Sequence, residues 1–150
     1  MVLQQDITAA IKAAMKAKDS LKLEALRAVK SAILLEQTSG AGAEELTEDQ
    51  EIKLLQKLVK QRKDSATIFR EQNRTDLAEP EEAQAEIIQA FLPAQLSEAE
   101  IEAAVEGIIA QMGASGMQDM GKVMGKASQE LAGKADGKTI STIVKAKLMA

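Results

Sequence analysis

Apolar side chains return every three to four residues through most of this chain. Leu3, Ile7, Ile11 and Ala14 set the rhythm, and Ile52, Leu55, Val59, Ala66 and Phe69 repeat it. That period marks one face of an α-helix. The residues between are mostly Ala, Glu, Lys and Gln, which cost a helix little. Runs of β-branched residues are scarce, and proline occurs only at Pro80 and Pro93. The expected fold class is all-α: a four-helix N-terminal unit followed by a small three-helix C-terminal bundle.

The first helix is expected over 3–17. The second starts after Asp19 or Ser20 and runs to about 37. Its inner face carries Leu21, Ala25, Ala28, Ala32 and Leu35, joined by Leu23, Val29 and Ile33. Residues 38–43 read as a flexible loop. Thr47 and Gln50 form a capping box, in which the threonine oxygen satisfies an early helical N–H. It opens the longest helix, 48–72. Thr75 is the expected cap of the next. Pro80 lacks a backbone donor and clashes with the preceding turn, so that helix begins near residue 79 or has an irregular first turn. It stops before Pro93. The boundary between an N-terminal domain (1–94) and a C-terminal domain (95–150) falls beside a second capping box, Ser97 with Glu100. Three shorter helices follow, at 98–112, 117–131 and 138–149. Gly113 and Gly133 suit the C-terminal caps of the first two, and Asp136 suits the N-cap of the third.

Composition narrows the chemistry. The 150 residues include no cysteine and no histidine. That removes zinc fingers, imidazole metal ligands and every Ser-His or Cys-His nucleophile pair. Neither a metal nor a cofactor is expected. Residues 1–11 contain Asp6 and no basic run, so no signal peptide is expected there. No apolar run approaches the roughly 20 residues that span a bilayer. A soluble, cytoplasmic protein is the expectation. Phe69 and Phe91 are the only aromatic residues. Single-stranded bases are usually read on aromatic platforms, so any nucleic acid bound here would be gripped by backbone and shape.

Charge is divided along the chain. Residues 97–120 carry four glutamates and one aspartate and no base, net −5. Residues 121–150 carry six lysines against Glu130 and Asp136, net +4, in a chain of net −4. Such a gathering of base is a common footprint of a polyanion site. Lys122, Lys126, Lys134, Lys138 and Lys145 are the candidate contacts. Gly121, Gly125 and Gly137 beside them would let a phosphodiester backbone come close. The other reading makes the lysines a solvated face and Gly121 and Gly125, four apart, a helix-packing face. Met117, Met120 and Met124 read as core more readily than as a ligand pocket. Asp136-Gly137-Lys138 begins a helix, where free N–H groups favour an anion.

Two segments imitate a phosphate-binding P-loop. One runs from Gly116 to Gly121-Lys122, but Val123 replaces the Ser or Thr that holds magnesium. The other ends in Gly137-Lys138-Thr139, but Ala132 replaces the first glycine. Neither follows a strand, so nucleotide binding is rejected. A second basic patch lies on the long helix: Lys53, Lys57, Lys60, Arg62 and Lys63, with Arg70 and Arg74 beyond. Intrahelical pairing such as Asp49 with Lys53 explains part of it, and a solvent-facing stripe is the favoured reading. Glu79, Glu81, Glu82 and Glu86 read as favourable helix-N-terminal charge.

Seven strings carry a family resemblance: LEALRAVKSAI at 23–33, LVKQRKDS at 58–65, RTDLAE at 74–79, EII and FLPAQLS within 86–97, MQDMGKVMG at 117–125 and GKADGK at 133–138. Together they resemble the YqeY family over essentially the whole chain. Pro80 departs from the family pattern, which has a charged helix former there. The C-terminal part also resembles the tail domain of GatB, a subunit of the glutamine-dependent amidotransferase that acts on Glu-tRNA or Asp-tRNA. That tail is implicated in engaging the tRNA body. The resemblance therefore implies that Lys122, Lys126, Lys134 and Lys138 face RNA, in a translation-linked role. It also brings the label of a carbon–nitrogen ligase with glutamine as amido donor. That reaction needs a glutaminase nucleophile and an ATP–magnesium site, and nothing in this sequence matches either. The expectation is a tRNA-binding accessory protein. The alternative is a helical adaptor that docks on an amidotransferase or an aminoacyl-tRNA synthetase.

Overall fold

A computed structural model describes residues 2–39 and 45–150, and among these the regular structure is helical throughout. The chain divides into two compact units, Met1–Leu92 and Pro93–Ala150. The first contains helices α1 (Val2–Ala17), α2 (Ser20–Ser39), α3 (Glu48–Glu71) and α4 (Thr75–Gln89). The second contains α5 (Glu98–Met112), a 3₁₀ turn (Met117–Asp119), α6 (Met120–Glu130) and α7 (Gly137–Met149).

In the first unit, Leu3, Ile7 and Ala14 of α1 meet Leu26, Val29 and Ile33 of α2. Leu55 and Val59 of α3 and Ala85 and Ile88 of α4 close the same core. Fully burying one such aliphatic side chain is worth about 1.5–3 kcal/mol. Asp19 starts α2 by accepting the Lys22 N–H at 3.1 Å. Thr47 and Gln50 form the capping box of α3: the threonine hydroxyl accepts from the Gln50 N–H at 3.2 Å, and the Gln50 side chain accepts from the Thr47 N–H at 2.9 Å.

Three expectations for this unit need correction. The buried face of α2 is Ala25, Leu26, Val29 and Ile33, whereas Leu35 is 70% exposed. Ala25, Val29 and Ile33 lie on the expected inner face, and Leu21, Leu23, Ala28 and Ala32 are half-buried; the face is shifted only in that it takes in Leu26 and leaves Leu35 outside. Thr38 and Ser39 belong to α2, and the rest of the expected loop lies outside the described residues. The third concerns α4. It begins at Thr75, with Arg74 as N-cap and no side-chain cap, and it takes Pro80 into its interior. Thr75 is a helical residue, not the cap. Pro80 is exposed, so the carbonyl its missing N–H leaves unpaired can be hydrated. An interior proline costs about 3 kcal/mol in a free helix. Pro80→Ala should recover part of this and stabilise the unit by about 1–2 kcal/mol, read as a higher urea midpoint. A lower midpoint would show that the ring has a packing role.

The second unit packs Ile101, Val105 and Ile108 of α5 against Val123 and Ala127 of α6 and Ile140, Ile143, Val144 and Leu148 of α7. Ser97 and Glu100 make the reciprocal capping box of α5. Accepting the Ser97 N–H holds the Glu100 carboxyl below its usual pKa. Gly113 ends α5 in the left-handed region, φ 61°, and the next N–H, of Ala114, reaches the Ile109 carbonyl at 3.1 Å. The helix expected over 117–131 is divided. The Asp119 carboxylate turns back to accept the Ser115 N–H at 2.8 Å, and the Asp119 N–H bonds the Gly116 carbonyl at 3.2 Å. These bonds tighten the first turn into 3₁₀ geometry. α6 ends at Glu130, and Gly133 (φ 77°) lies in the turn that follows. The entry to the unit is tied to that turn: Gln95 Nε2 donates to the Gly133 carbonyl at 2.7 Å, and the Leu96 N–H donates to the Lys134 carbonyl at 2.9 Å.

Candidate polyanion surface of the second unit

Burial of Val123 and Ala127 fixes how α6 is rotated. Their neighbours Gly121, Lys122, Gly125 and Lys126 are all exposed and share the side turned away from the core. A Cβ added at Gly121 or Gly125 meets nothing within 4 Å. The helix-packing reading of these glycines is therefore overturned: both present open backbone to solvent. Met120 and Met124 pack partly against the core, but Met117 is 43% exposed.

On α7, Ile140, Val144 and Leu148 point inward, and Lys138 and Lys145, seven apart, are exposed. Lys134 is exposed in the turn between α6 and α7. Salt bridges sort these cations. Lys147 is committed to Glu106 of α5 at 2.6 Å, and that hydrogen bond raises its pKa. Lys126 lies 3.5 Å from Glu130 on its own helix, with both side chains over 40% exposed, and such a pair is weak. Lys122, Lys134, Lys138 and Lys145 make no salt bridge among the described residues.

Gly137 does not begin a free anion site. The Asp136 carboxylate caps α7, accepting from both the N–H and the hydroxyl of Thr139 at 2.8 Å. A second anion there would face this carboxylate. The P-loop likeness also fails in three dimensions, because Val123 is fully buried and no strand precedes either segment among the described residues.

The patch on α3 is partly engaged. Lys60 pairs with Asp64 at 3.2 Å, and Lys63 donates to Gln89 at 3.1 Å. Arg62 donates to Gln84, at 8% exposure the one buried polar side chain among the described residues, and to the Leu58 carbonyl. Lys53 and Lys57 are exposed, without the expected bridge from Asp49 to Lys53. The sequence reading missed the long-range pairs, Arg62 with Gln84 and Lys147 with Glu106. Neither has a local signal, since the partners are 22 and 41 residues apart. Among the described residues no group of three or more acidic side chains is placed to hold a metal, and no helix is long and apolar enough to cross a membrane.

Fold and surface together define an all-α protein of two helical units whose second bundle turns a set of lysines to solvent. The chain belongs to the YqeY family: the family described as Yqey-like protein matches residues 4–148. It is 40% identical over 105 residues to Altered inheritance of mitochondria protein 41, mitochondrial, of Lachancea thermotolerans, covering 68% of this chain and 55% of that one. The protein of the same name in Clavispora lusitaniae is 42% identical over 82 residues, 55% of this chain and 46% of that one. A glutamyl-tRNA(Gln) amidotransferase subunit of Thermococcus gammatolerans is 37% identical over 73 residues, 46% of this chain and 12% of that one. The chain thus spans about half the length of the first two relatives and a small part of the third. It is related in part to an amidotransferase subunit.

Proposed function

We propose that this chain is a tRNA-binding accessory protein of amidotransferase-related descent, which grips the RNA backbone through Lys122, Lys126, Lys134, Lys138 and Lys145. The observation that carries the reading is the outward face of α6, where two unobstructed glycines stand beside two exposed lysines. Exposed glycine weakens a helix by roughly 0.5–1 kcal/mol relative to alanine, and no packing contact at these sites offsets that cost. Similarity to a protein named for glutamyl-tRNA(Gln) favours tRNA among the polyanions. The proposal gives this chain no step of the amidation itself, and neither of its P-loop-like segments follows a strand among the described residues. A cytoplasmic location belongs to the same proposal, against the mitochondrial one in the names of two relatives, and cell fractionation decides it.

Binding of purified protein to total tRNA and to duplex DNA, at several salt concentrations, tests the proposal. Four to six phosphate contacts give a slope of log affinity on log salt of about −3 to −5. A flat response, or equal preference for DNA, would sink the reading. Glycine substitution adds a test in which stability and binding move in opposite directions. Gly121→Ala with Gly125→Ala should raise the stability of the second unit by about 0.5–1 kcal/mol per site and weaken tRNA binding. Stabilisation with unchanged binding would remove the glycines from the contact.

The alternative, a helical adaptor on an amidotransferase or a synthetase, draws on the exposure of Met112 and Met117, at 41% and 43%. It requires association with such an enzyme that survives nuclease treatment.

A further inference from the structure

Two cations of this chain are drawn part-way into the protein. Among the described basic residues only Arg62 and Lys147 are half-buried, and every other one is exposed. Lys147 meets a carboxylate, that of Glu106. Arg62 makes no salt bridge among the described residues. Its partners are neutral: Nε donates to Gln84 Oε1 at 3.1 Å, and Nη1 donates to the Leu58 carbonyl at 3.2 Å. Glu81, one turn before Gln84 on α4, is half-buried yet does not bridge it. Drawing a charge out of water is costly unless an opposite charge meets it, and here that charge is missing.

Gln84 is the second observation. It shares the buried face of α4 with Ala78, Ala85 and Ile88, where a polar side chain costs stability unless it is bonded. Its oxygen is taken by Arg62. Its amide nitrogen donates to no described residue, and among the described residues no fully buried side-chain polar atom lacks a partner, so this nitrogen opens to solvent. A guanidinium has five N–H donors; two are engaged, which leaves three. We propose that Arg62 and Gln84 form a phosphate-binding site on the first unit, with the spare guanidinium N–H groups and the Gln84 amide donating to the phosphate oxygens. The planar fork of an arginine matches a phosphate bidentately, and its two bonds to neutral acceptors hold the fork in place while leaving its charge unspent. A glutamate at position 84 would supply the counter-ion and close the site. The phosphate is either free or part of an RNA backbone, and only the second source rests on the tRNA reading.

NMR of the full chain labelled with nitrogen-15 tests this. The Arg62 Nε–H and Gln84 side-chain amide signals should shift saturably with inorganic phosphate and stay in place with chloride at the same ionic strength. Gln84→Glu, with its fold checked by circular dichroism, should weaken the phosphate response of the Arg62 signal by roughly tenfold to a hundredfold, the effect of losing a hydrogen bond to a charged group. Binding of tRNA then separates the two sources. With RNA as the ligand, Gln84→Glu lowers the slope of log affinity on log salt by about one; with free phosphate as the ligand, the slope is unchanged. Wild-type signals that ignore phosphate, or a Gln84→Glu response equal to that of the wild type, overturn the proposal. A phosphate response in a chain that binds no tRNA keeps this site and sinks the tRNA reading.

Discussion

Lys122→Glu combined with Lys126→Glu should weaken tRNA binding by roughly tenfold to a hundredfold at moderate salt and reduce the salt slope by about two. Both side chains are exposed on the same side of α6. Among the described residues Lys122 has no salt bridge, and Lys126 has only the open pairing with Glu130 at 3.5 Å. Reversal removes two phosphate contacts and puts two carboxylates in their place. The folded state should barely notice, because surface substitutions away from packing usually stay within about 0.5 kcal/mol. Lys12→Glu with Lys16→Glu on α1 is the matched control, with the same change in net charge at a different address. If the control pair weakens binding as much as the α6 pair, the effect is that of overall charge and the α6 face is not the contact.

Leu26→Ala should destabilise the first unit by about 2–5 kcal/mol. Leu26 is fully buried and sits between Ala25 and Val29 on the face of α2 that meets the other helices. Truncation removes apolar contact and leaves a void that close-packed neighbours fill only in part. Leu35→Ala, nine residues along the same helix, should change stability by no more than about 0.5 kcal/mol, since Leu35 is 70% exposed. Urea unfolding followed by the helical circular dichroism signal compares the two. Equal losses would mean that α2 is rotated away from the arrangement that buries Leu26. Where the two units melt separately, the curve is fitted for two transitions.

That pair of leucines also shows where sequence reading succeeds and where it stops. The helical class was legible because the 3.6-residue period and the two capping boxes agree with each other and with composition. The buried face of α2 was legible only in part: Ala25, Val29 and Ile33 read as inner residues, but Leu26 did not and Leu35 did. Apolar residues occupy both sides of that helix, including Leu23, Leu26, Leu34 and Leu35, so local periodicity offers two stripes and tertiary packing selects one. Pro80 shows the same override: α3 and the core hold α4 helical through a residue that local propensity would place in its first turn. In the second unit, segregation of charge was visible from residue counts alone. The openness of Gly121 and Gly125 was not, because glycines four apart serve equally as a packing face or as bare backbone, and only the burial of Val123 and Ala127 decides between them.

The bond from Gln95 to the Gly133 carbonyl closes a span of 38 residues. During synthesis, the first unit can complete its core once residue 92 has cleared the ribosome, since the described residues of its core cluster run from Leu3 to Leu92. The second unit has no such head start. Ile101, Val105 and Ile108 wait uncovered until α6 and α7 arrive, and the staple at its entry waits for residue 133. Domains generally fold as units in order of emergence, so the interval between the two closures is when the apolar stripe of α5 stands open to chaperones. A stall placed between residues 112 and 133 should prolong that interval, leaving a folded first unit tethered to a nascent chain whose four α5 glutamates are its main protection against aggregation.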